Sequence, residues 1–200
     1  MTRAATVERV TGETSVRVRL VLDAAGAADV RTGIGMLDHL FDALARHAGF
    51  DLTLSCTGDL HVDDHHTAED SALAVGQALD RALGERRGIH RFGWAYAPLD
   101  EALARAVVDC SGRGFAAVDL GLAREALGGL ACENVGHALS SLAAAARMAL
   151  HVDVLRGAND HHRAEAAFKA VALALRQAVA RTGSGDVPST KGTLGGPGDG

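Results

Sequence analysis

The chain has 200 residues, of which 48% are hydrophobic and 22% are charged, and its formal net charge is -5. A chain of this length and composition can bury the core of one or two domains, so we do not expect a disordered or fibrous protein. Its Lys and Arg residues form no basic stripe, and no apolar stretch reaches the roughly 18 residues that span a bilayer, so we expect a cytoplasmic protein without nucleic-acid or membrane partners.

Hydrophobic periodicity predicts the order strand, strand, helix, strand, helix in the first half of the chain. The predicted strands cover residues 16–22, 28–32 and 50–57, and the predicted helices run from 36 to a stop at Gly49 and from 66 to 83. Gly84 provides the stop of the second helix, since glycine readily ends helices. We interpret residues 28–32 as the hairpin partner of the first strand.

The second half repeats that order. Its predicted strands cover 103–110, 115–122 and 149–155, and its predicted helices cover 134–148 and 162–181. The motif D-H-H-T-A-E at 64–69 matches D-H-H-R-A-E at 160–165, and a single histidine, His39 or His137, stands in the helix before each motif. Such self-similarity indicates duplication of one α/β unit.

The repeat suggests a division of the chain into three parts. We predict a first α/β repeat over 1–93, a second over 94–185, and a tail over 186–200. The tail is rich in Gly, Ser and Pro and is expected to be irregular, with a flexible end.

The repeated motif has the spacing of a metal site. Residues four apart share a helix face, so His65 with Glu69, and His161 with Glu165, can each offer an imidazole and a carboxylate to one ion. The second histidine of each motif diverges by about 100° from the first and is poorly placed to bind the same ion. A single copy could equally be a polar helix start with an aspartate cap, but two copies favour a metal.

The donor types indicate which metal to expect. The three cysteines, Cys56, Cys110 and Cys132, are far apart and form no C-x-x-C pair, which excludes a zinc finger and predicts reduced thiols. Six histidines and two glutamates divided between two ions leave open positions on a six-coordinate metal such as Mn²⁺. An open position indicates catalysis or ligand binding.

Several ordered motifs carry a resemblance to a known family. They lie at 12–14, 32–39, 58–70, 88–93, 98–101, 109–113, 159–162 with 165 and 168–169, and 187–192. On these motifs the chain resembles the imidazoleglycerol-phosphate dehydratase family over nearly its whole length. The resemblance implies an α+β fold, a duplicated two-layer α/β sandwich of the ribosomal protein S5 domain 2-like type. It also implies a hydro-lyase of histidine biosynthesis that converts D-erythro-imidazoleglycerol phosphate to imidazoleacetol phosphate.

The resemblance implies two Mn²⁺ ions per active site. The expected ligands of one ion are His39, His66, His161 and Glu165, and those of the other are His65, Glu69, His137 and His162. It also implies a homo-oligomer of 24 subunits whose sites are shared between neighbouring chains, so that the metal-free protein assembles less fully. An aromatic pair is usual after His137, where this chain has Ala138 and Leu139, which leaves the packing of that helix open.

Further roles follow from the same resemblance. Glu13 is expected to transfer a proton at the glycerol carbons, with Glu69 and Glu165 also at the catalytic centre. The expected substrate-binding residues are Glu13, His39, His47, His65, Arg91, Arg113, His161, Lys169, Ser189 and Lys191. Of these, Arg91, Arg113, Lys169, Ser189 and Lys191 suit a phosphate dianion. Taken singly, Glu13 could be a strand-edge charge, His47 a structural histidine, and each basic residue a solvated surface group. The flanking Asp38, Asp64 and Asp160 could orient histidines or cap helices.

The expected chemistry uses the imidazole of the substrate. A divalent ion bound to one ring nitrogen lowers the pKa of the remaining N–H, so an imidazolate can expel the adjacent hydroxyl and leave a diazafulvene. A base then removes the neighbouring C–H proton to give an enol, which becomes the ketone. Two alternatives remain: a dinuclear metal phosphoesterase, which would favour carboxylate ligands and release phosphate, and a metal-storage assembly, which would leave the basic residues without a purpose.

Overall fold

The computed structural model describes residues 2–194, which contain two four-stranded sheets, a two-stranded ribbon and four long helices. The strands are β1 (Ala4–Val10), β2 (Thr14–Val21), β3 (Ala28–Arg31), β4 (Asp51–Gly58), β5 (Phe92–Leu99), β6 (Ala102–Asp109), β7 (Phe115–Asp119), β8 (Ala126–Leu127), β9 (Leu130–Ala131) and β10 (Ala149–Arg156). The helices are α1 (Gly35–Ala48), α2 (His65–Leu83), α3 (Cys132–Ala145) and α4 (Asp160–Val179).

The two sheets have the same topology. Their strand orders are β1-β2-β4-β3 and β5-β6-β10-β7. In each sheet the first three strands are antiparallel neighbours and the last strand runs parallel to the one beside it. The short ribbon of β8 and β9 is found in the second half between β7 and α3. This repeated topology confirms the predicted duplication of an α/β unit.

The core lies between the sheets and the helices. In β2, Val16, Val18 and Leu20 are buried while the intervening residues are exposed, so one face of the strand packs inward. Helix α2 packs on β1 and β2, and α4 packs on β5 and β6, which makes each half the expected two-layer sandwich. The halves meet through their helices, α1 against α4 and α2 against α3. Phe41 and Phe168 form an edge-to-face pair at the α1–α4 contact, with ring centroids 6.2 Å apart.

The predicted hairpin of residues 16–22 with 28–32 is wrong. Strand β3 pairs in parallel with β4, placing Val30 opposite Leu54. The hairpin partner of β2 is instead β1, which the periodicity did not reveal, and residues 11–13 form the turn between them. Strand pairing depends on contacts that are distant in sequence, so the alternation within one strand does not show which neighbour it has.

Strand β5 was also missed, because its large aromatic residues face outward and its small residues face the core. Its large residues Phe92, Trp94 and Tyr96 point outward and are 50%, 61% and 56% exposed, whereas Gly93 and Ala97 face the core. A Cβ atom at Gly93 would lie 2.0 Å from the carbonyl oxygen of Ala174 in α4, so only glycine allows this approach. The strand begins at Phe92, so the expected repeat boundary at 93/94 falls inside it.

The remaining elements match their predictions to within a few residues. Strand β7 ends at Asp119 rather than at 122, and α2, α3 and α4 begin one or two residues before the predicted starts. Gly49 and Gly84 end α1 and α2, both with positive φ. Ala138 and Leu139 are buried, so α3 packs without the usual aromatic pair. None of the helices in the described part of the chain is long and apolar enough to cross a membrane.

Candidate active site

One cluster of metal-ligand side chains lies where α1 meets α4. His39 comes from α1, and His161 and Glu165 come from the first turns of α4. The Nε2 atoms of His39 and His161 lie 2.9 and 3.3 Å from the same carboxylate oxygen of Glu165. The two imidazole rings stack, with centroids 5.6 Å apart. A histidine from the first half therefore joins the motif of the second half.

A second cluster lies where α2 meets α3 and mirrors the first. His65 and Glu69 come from the start of α2, and His137 comes from α3. The Nε2 atoms of His65 and His137 lie 3.8 and 3.2 Å from the two oxygens of Glu69. Their rings also stack, with centroids 4.8 Å apart. Here a histidine from the second half joins the motif of the first, so each cluster contains both halves.

The donor atoms of both clusters fit a divalent cation. Within each cluster they lie within 4.8 Å of one another, close to the spread of about 3 to 4.4 Å for ligands bonded at about 2.0–2.2 Å to one ion. His137 Nε2 is buried and has no hydrogen-bond partner among the described residues, although Glu69 Oε1 is 3.2 Å away. A shared cation would satisfy both atoms. Imidazole and carboxylate donors together suit Mn²⁺ and other first-row divalent metals.

The second histidine of each motif lies outside these clusters. His66 places Nδ1 3.0 Å from Asp59 and Nε2 3.5 Å from Glu13. His162 places Nδ1 2.7 Å from Glu101 and Nε2 3.8 Å from Asp100. Three members of each expected set of four ligands therefore lie together within one chain, and the fourth faces carboxylates elsewhere.

The aspartates beside the histidines hold loops. Asp38 Oδ1 accepts hydrogen bonds from the backbone N–H and hydroxyl of Thr32. Asp64 Oδ2 accepts from the backbone N–H of Ala131 just before α3, and buried Asp160 accepts from those of Ala123 and Arg124. The start of α4 is capped by Asn159, whose Oδ1 accepts from the His161 N–H. Of the two roles left open by the sequence, these contacts support neither.

The electrostatic environment keeps the Glu165 carboxylate ionised. Burial raises its pKa, but the hydrogen bonds from Lys169 and His39 outweigh burial and lower the pKa from 4.5 to about 2. Lys169 Nζ lies 2.6 Å from Glu165 Oε1, one helical turn away on α4. An ionised carboxylate is the form of this side chain that binds a metal ion.

Comparisons with known proteins identify the family. The family model described as imidazoleglycerol-phosphate dehydratase matches residues 32–175. An imidazoleglycerol-phosphate dehydratase from Eremothecium gossypii is 53% identical over 96% of this chain and 98% of the relative. One from Kluyveromyces lactis is 51% identical over 96% of this chain and 97% of the relative.

The chain belongs to the imidazoleglycerol-phosphate dehydratase family. Solved structures agree: imidazoleglycerol-phosphate dehydratase from Staphylococcus aureus superposes with a TM-score of 0.81 at 32% identity, covering 90% of this chain and 99% of that one. The Pyrococcus furiosus structure gives a TM-score of 0.80 at 37% identity, covering 94% and 100%. The expected family, fold and assignment as an enzyme are confirmed.

The phosphate-binding residues expected from family membership lie in different surroundings. Arg91 donates hydrogen bonds from Nε and Nη2 to the two carboxylate oxygens of Asp109, at 2.7 and 3.1 Å. Its Nη1 donates to the Pro188 carbonyl at 2.8 Å. Arg91 therefore holds the tail that carries Ser189 and Lys191. Lys169 adjoins the first cluster through Glu165.

Two expected substrate-binding residues have no such link to the clusters. Arg113 is exposed in the turn after β6, and His47 is exposed near the end of α1. Within residues 2–194, no described hydrogen bond or ion pair joins either side chain to a cluster. Glu13 is exposed in the β1–β2 turn and faces His66.

Three histidine partners escaped the sequence analysis. They are Asn134, Asp59 and Glu101. Each places a side-chain oxygen within hydrogen-bond distance of the Nδ1 atom of a motif histidine. Asn134 precedes His137 by three residues and so shares its helix face, a spacing that could have revealed it. Asp59 and Glu101 lie in loops, and the contacts of loop residues with helix side chains leave no periodic signal.

Proposed function

We propose that this chain is a metal-dependent carbon–oxygen lyase that dehydrates D-erythro-imidazoleglycerol phosphate to imidazoleacetol phosphate in L-histidine biosynthesis. The observation that carries the proposal is the pair of histidine–carboxylate clusters in a chain of this family. Two equivalent cation sites suit a substrate whose imidazole ring has two nitrogens, one for each cation. A phosphoesterase site would be dominated by carboxylate ligands, whereas each cluster has two imidazoles to one carboxylate.

We assign two Mn²⁺ ions to each active site. His39, His161 and Glu165 would hold one, and His65, Glu69 and His137 the other, each with room for further ligands on a six-coordinate ion. His66 and His162 would complete these sets from neighbouring copies, since in their own chain they lie outside the clusters. When bound, such a cation makes the N–H of a coordinated imidazole more acidic.

The residues of the chain supply the proton transfers at the glycerol carbons. The hydroxyl on the carbon next to the ring leaves as water once it gains a proton, and the ring loses its N–H proton, which gives a diazafulvene. Glu13, an exposed carboxylate 3.5 Å from His66 Nε2, would then take the proton of the neighbouring C–H as the ring nitrogen regains one. The resulting enol becomes the ketone, so the net change is loss of one water.

Basic residues, together with Ser189, would hold the phosphate. Arg113 and Lys191 are exposed and can offer donors to a dianion, together with Ser189 and Lys169. Because both Asp109 and the Pro188 carbonyl engage Arg91, its role would be chiefly to hold the tail loop in place beside the substrate.

We propose a homo-oligomer of 24 subunits that shares its sites between copies. Besides the incomplete clusters, the outer face of the second sheet supports association, since Phe92, Trp94 and Phe115 are exposed there. Arg105 and Asp153 form an ion pair with each other on the same face. The equivalent face of the first sheet instead carries Arg17 and Arg19. A cytoplasmic location is proposed as well, supported by the three free, buried cysteines.

The direct test is an activity assay on the full-length protein purified with Mn²⁺. Supplied with imidazoleglycerol phosphate, it should form imidazoleacetol phosphate with the phosphate retained. Release of inorganic phosphate instead would establish the phosphoesterase. Glu13→Gln should abolish turnover and leave bound Mn²⁺ unchanged, while the exposed β1 residue Glu8 provides a matched control as Glu8→Gln.

Removal of a cluster histidine tests the metal assignment. His65→Ala or His161→Ala is expected to lower bound Mn²⁺, measured by inductively coupled plasma mass spectrometry, and to reduce particle size in light scattering, because metal binding and assembly are coupled. The exposed His90, outside both clusters, serves as a control in the form His90→Ala. Full metal content in either cluster variant would refute the assignment.

A further inference from the structure

We propose that Asn134, Asp59 and Glu101 are positioning residues that fix the tautomer of His65, His66 and His162. In each pair an oxygen holds the proton of the imidazole on Nδ1 and leaves the lone pair of Nε2 free for a cation. The inference rests on the proposed metal site, which it deepens by naming the residues that prepare its ligands. None of the three is itself a member of either cluster.

The tautomer follows from the chemistry of the partners. His65 Nδ1 lies 3.0 Å from Asn134 Oδ1, and His66 Nδ1 lies 3.0 Å from Asp59 Oδ2. His162 Nδ1 lies 2.7 Å from Glu101 Oε2. An amide oxygen or an ionised carboxylate can only accept a hydrogen bond, so the imidazole nitrogen must donate. A neutral imidazole has one N–H, and the other nitrogen is then the free donor of an electron pair.

Glu101 is held rigidly by both of its oxygens. Its Oε1 accepts from the backbone N–H groups of Ala158 and Asn159, at 3.0 and 2.8 Å, just before α4 begins. Its Oε2 faces His162. One side chain in the β5–β6 turn therefore fixes both the start of α4 and the orientation of a histidine in its first turn.

Asn134 also links two elements of its site. It is buried, with 3% of its surface exposed, and lies on α3 three residues before His137. A single face of α3 therefore supplies one ligand of the second cluster and the hydrogen-bond partner of another ligand, His65 on α2. The stacked His65 and His137 rings keep the two helices in register at this point.

Glu101→Gln tests the tautomer more sharply than deletion does. The amide of glutamine has one oxygen and one NH₂ group. If its oxygen stays on the backbone N–H groups of Ala158 and Asn159, its NH₂ faces His162 Nδ1 and forces the proton to Nε2, where it blocks metal binding. The opposite orientation would place the NH₂ group against the backbone N–H groups of Ala158 and Asn159, which are donors as well, so these contacts would be unfavourable. The nearly isosteric change should therefore be harmful, whereas a merely space-filling role for Glu101 would tolerate it.

The primary measurement is Mn²⁺ affinity of the full-length protein, obtained by counting free Mn²⁺ in electron paramagnetic resonance titrations. We expect Glu101→Gln to weaken binding by about 10- to 100-fold, as for other partners of ligand histidines. Glu133→Gln removes the same charge from an exposed position in α3 and should leave affinity unchanged. Affinity of Glu101→Gln within twofold of the unmodified chain would overturn the proposal.

A second readout is independent of both metal and catalysis. Solid-state ¹⁵N spectra of metal-free, histidine-labelled protein distinguish the two tautomers, and Glu101→Gln should convert one imidazole from Nδ1–H to Nε2–H. An unchanged spectrum overturns the inference. If the unmodified chain shows the Nδ1–H form but makes no imidazoleacetol phosphate, the inference stands and the proposed function alone fails.

If Glu101→Gln does not fold, two variants at Asn134 test the positioning role instead. Asn134→Asp keeps an acceptor for His65 and should retain Mn²⁺ affinity better than Asn134→Leu, which keeps only the volume. Equal affinities in the two variants would count against a positioning role.

Discussion

Replacing Gly76 with alanine should separate the two helices that carry the second cluster. Gly76 lies in α2 against the C-terminal end of α3. An added Cβ atom would lie 2.5 Å from the Leu142 carbonyl oxygen and 2.9 Å from the Ala146 nitrogen. Both are backbone atoms, so no side chain can rotate away, and the helices themselves must move.

The magnitude follows from two opposing effects. A contact of 2.5 Å is about 0.9 Å shorter than the 3.4 Å of ordinary contact, and overpacking of this kind costs about 3 kcal/mol at the upper end of its usual range. Alanine in a helix interior recovers about 1 kcal/mol relative to glycine. The net loss is therefore about 2 kcal/mol, which corresponds to a fall in Tm of about 4–8 °C for a chain of this size.

Thermal unfolding of the metal-free protein, followed by circular dichroism, measures this loss, and Gly136→Ala in α3 is a matched control. A Cβ at Gly136 would meet only the side chain of Val118, at 3.8 Å, so that variant should gain up to about 1 kcal/mol. Because α2 and α3 also hold Glu69 against His137, Gly76→Ala should in addition weaken Mn²⁺ binding. An equal or higher Tm for Gly76→Ala would refute the reasoning.

Two further predictions concern groups away from the clusters. Burial raises the pKa of the Cys110 thiol to about 12, so it should stay unreactive towards a disulfide reagent at pH 8 until the protein is unfolded; rapid labelling of Cys110 in the folded protein would contradict this. The hydrogen bond from Arg3 lowers the pKa of Asp23 from 3.8 to about 2, against a smaller opposing effect of burial. A lowered folded-state pKa stabilises the fold above pH 3.8 and loses that effect as the pH falls towards 2. In urea unfolding, Asp23→Asn should therefore be less stable than the unmodified chain at pH 5, with a gap that narrows below pH 4; a constant gap would exclude the ion pair as its cause.

Much of the fold and of the two histidine–carboxylate clusters could be predicted from local patterns. Helical spacing placed His65 with Glu69 and His161 with Glu165, and the structure brings both pairs together. The repeated motif predicted the duplication that the matching sheet orders confirm. These features are local or repeated, and the period of a helix or strand is set by backbone geometry within a few residues.

What the tertiary structure decided is how distant segments meet. His39 lies 126 residues from Glu165 in sequence but 2.9 Å away in space, because α1 packs on α4 of the other half, a pairing that the sequence indicated only through its family resemblance. The parallel pairing of β3, the inverted strand β5 and the oxygen partner of His162 depend equally on long-range packing. Periodicity shows which face of an element is buried. Which element covers that face is determined by how side chains far apart in the sequence pack together. It also depends on where a glycine lets two backbones approach closely.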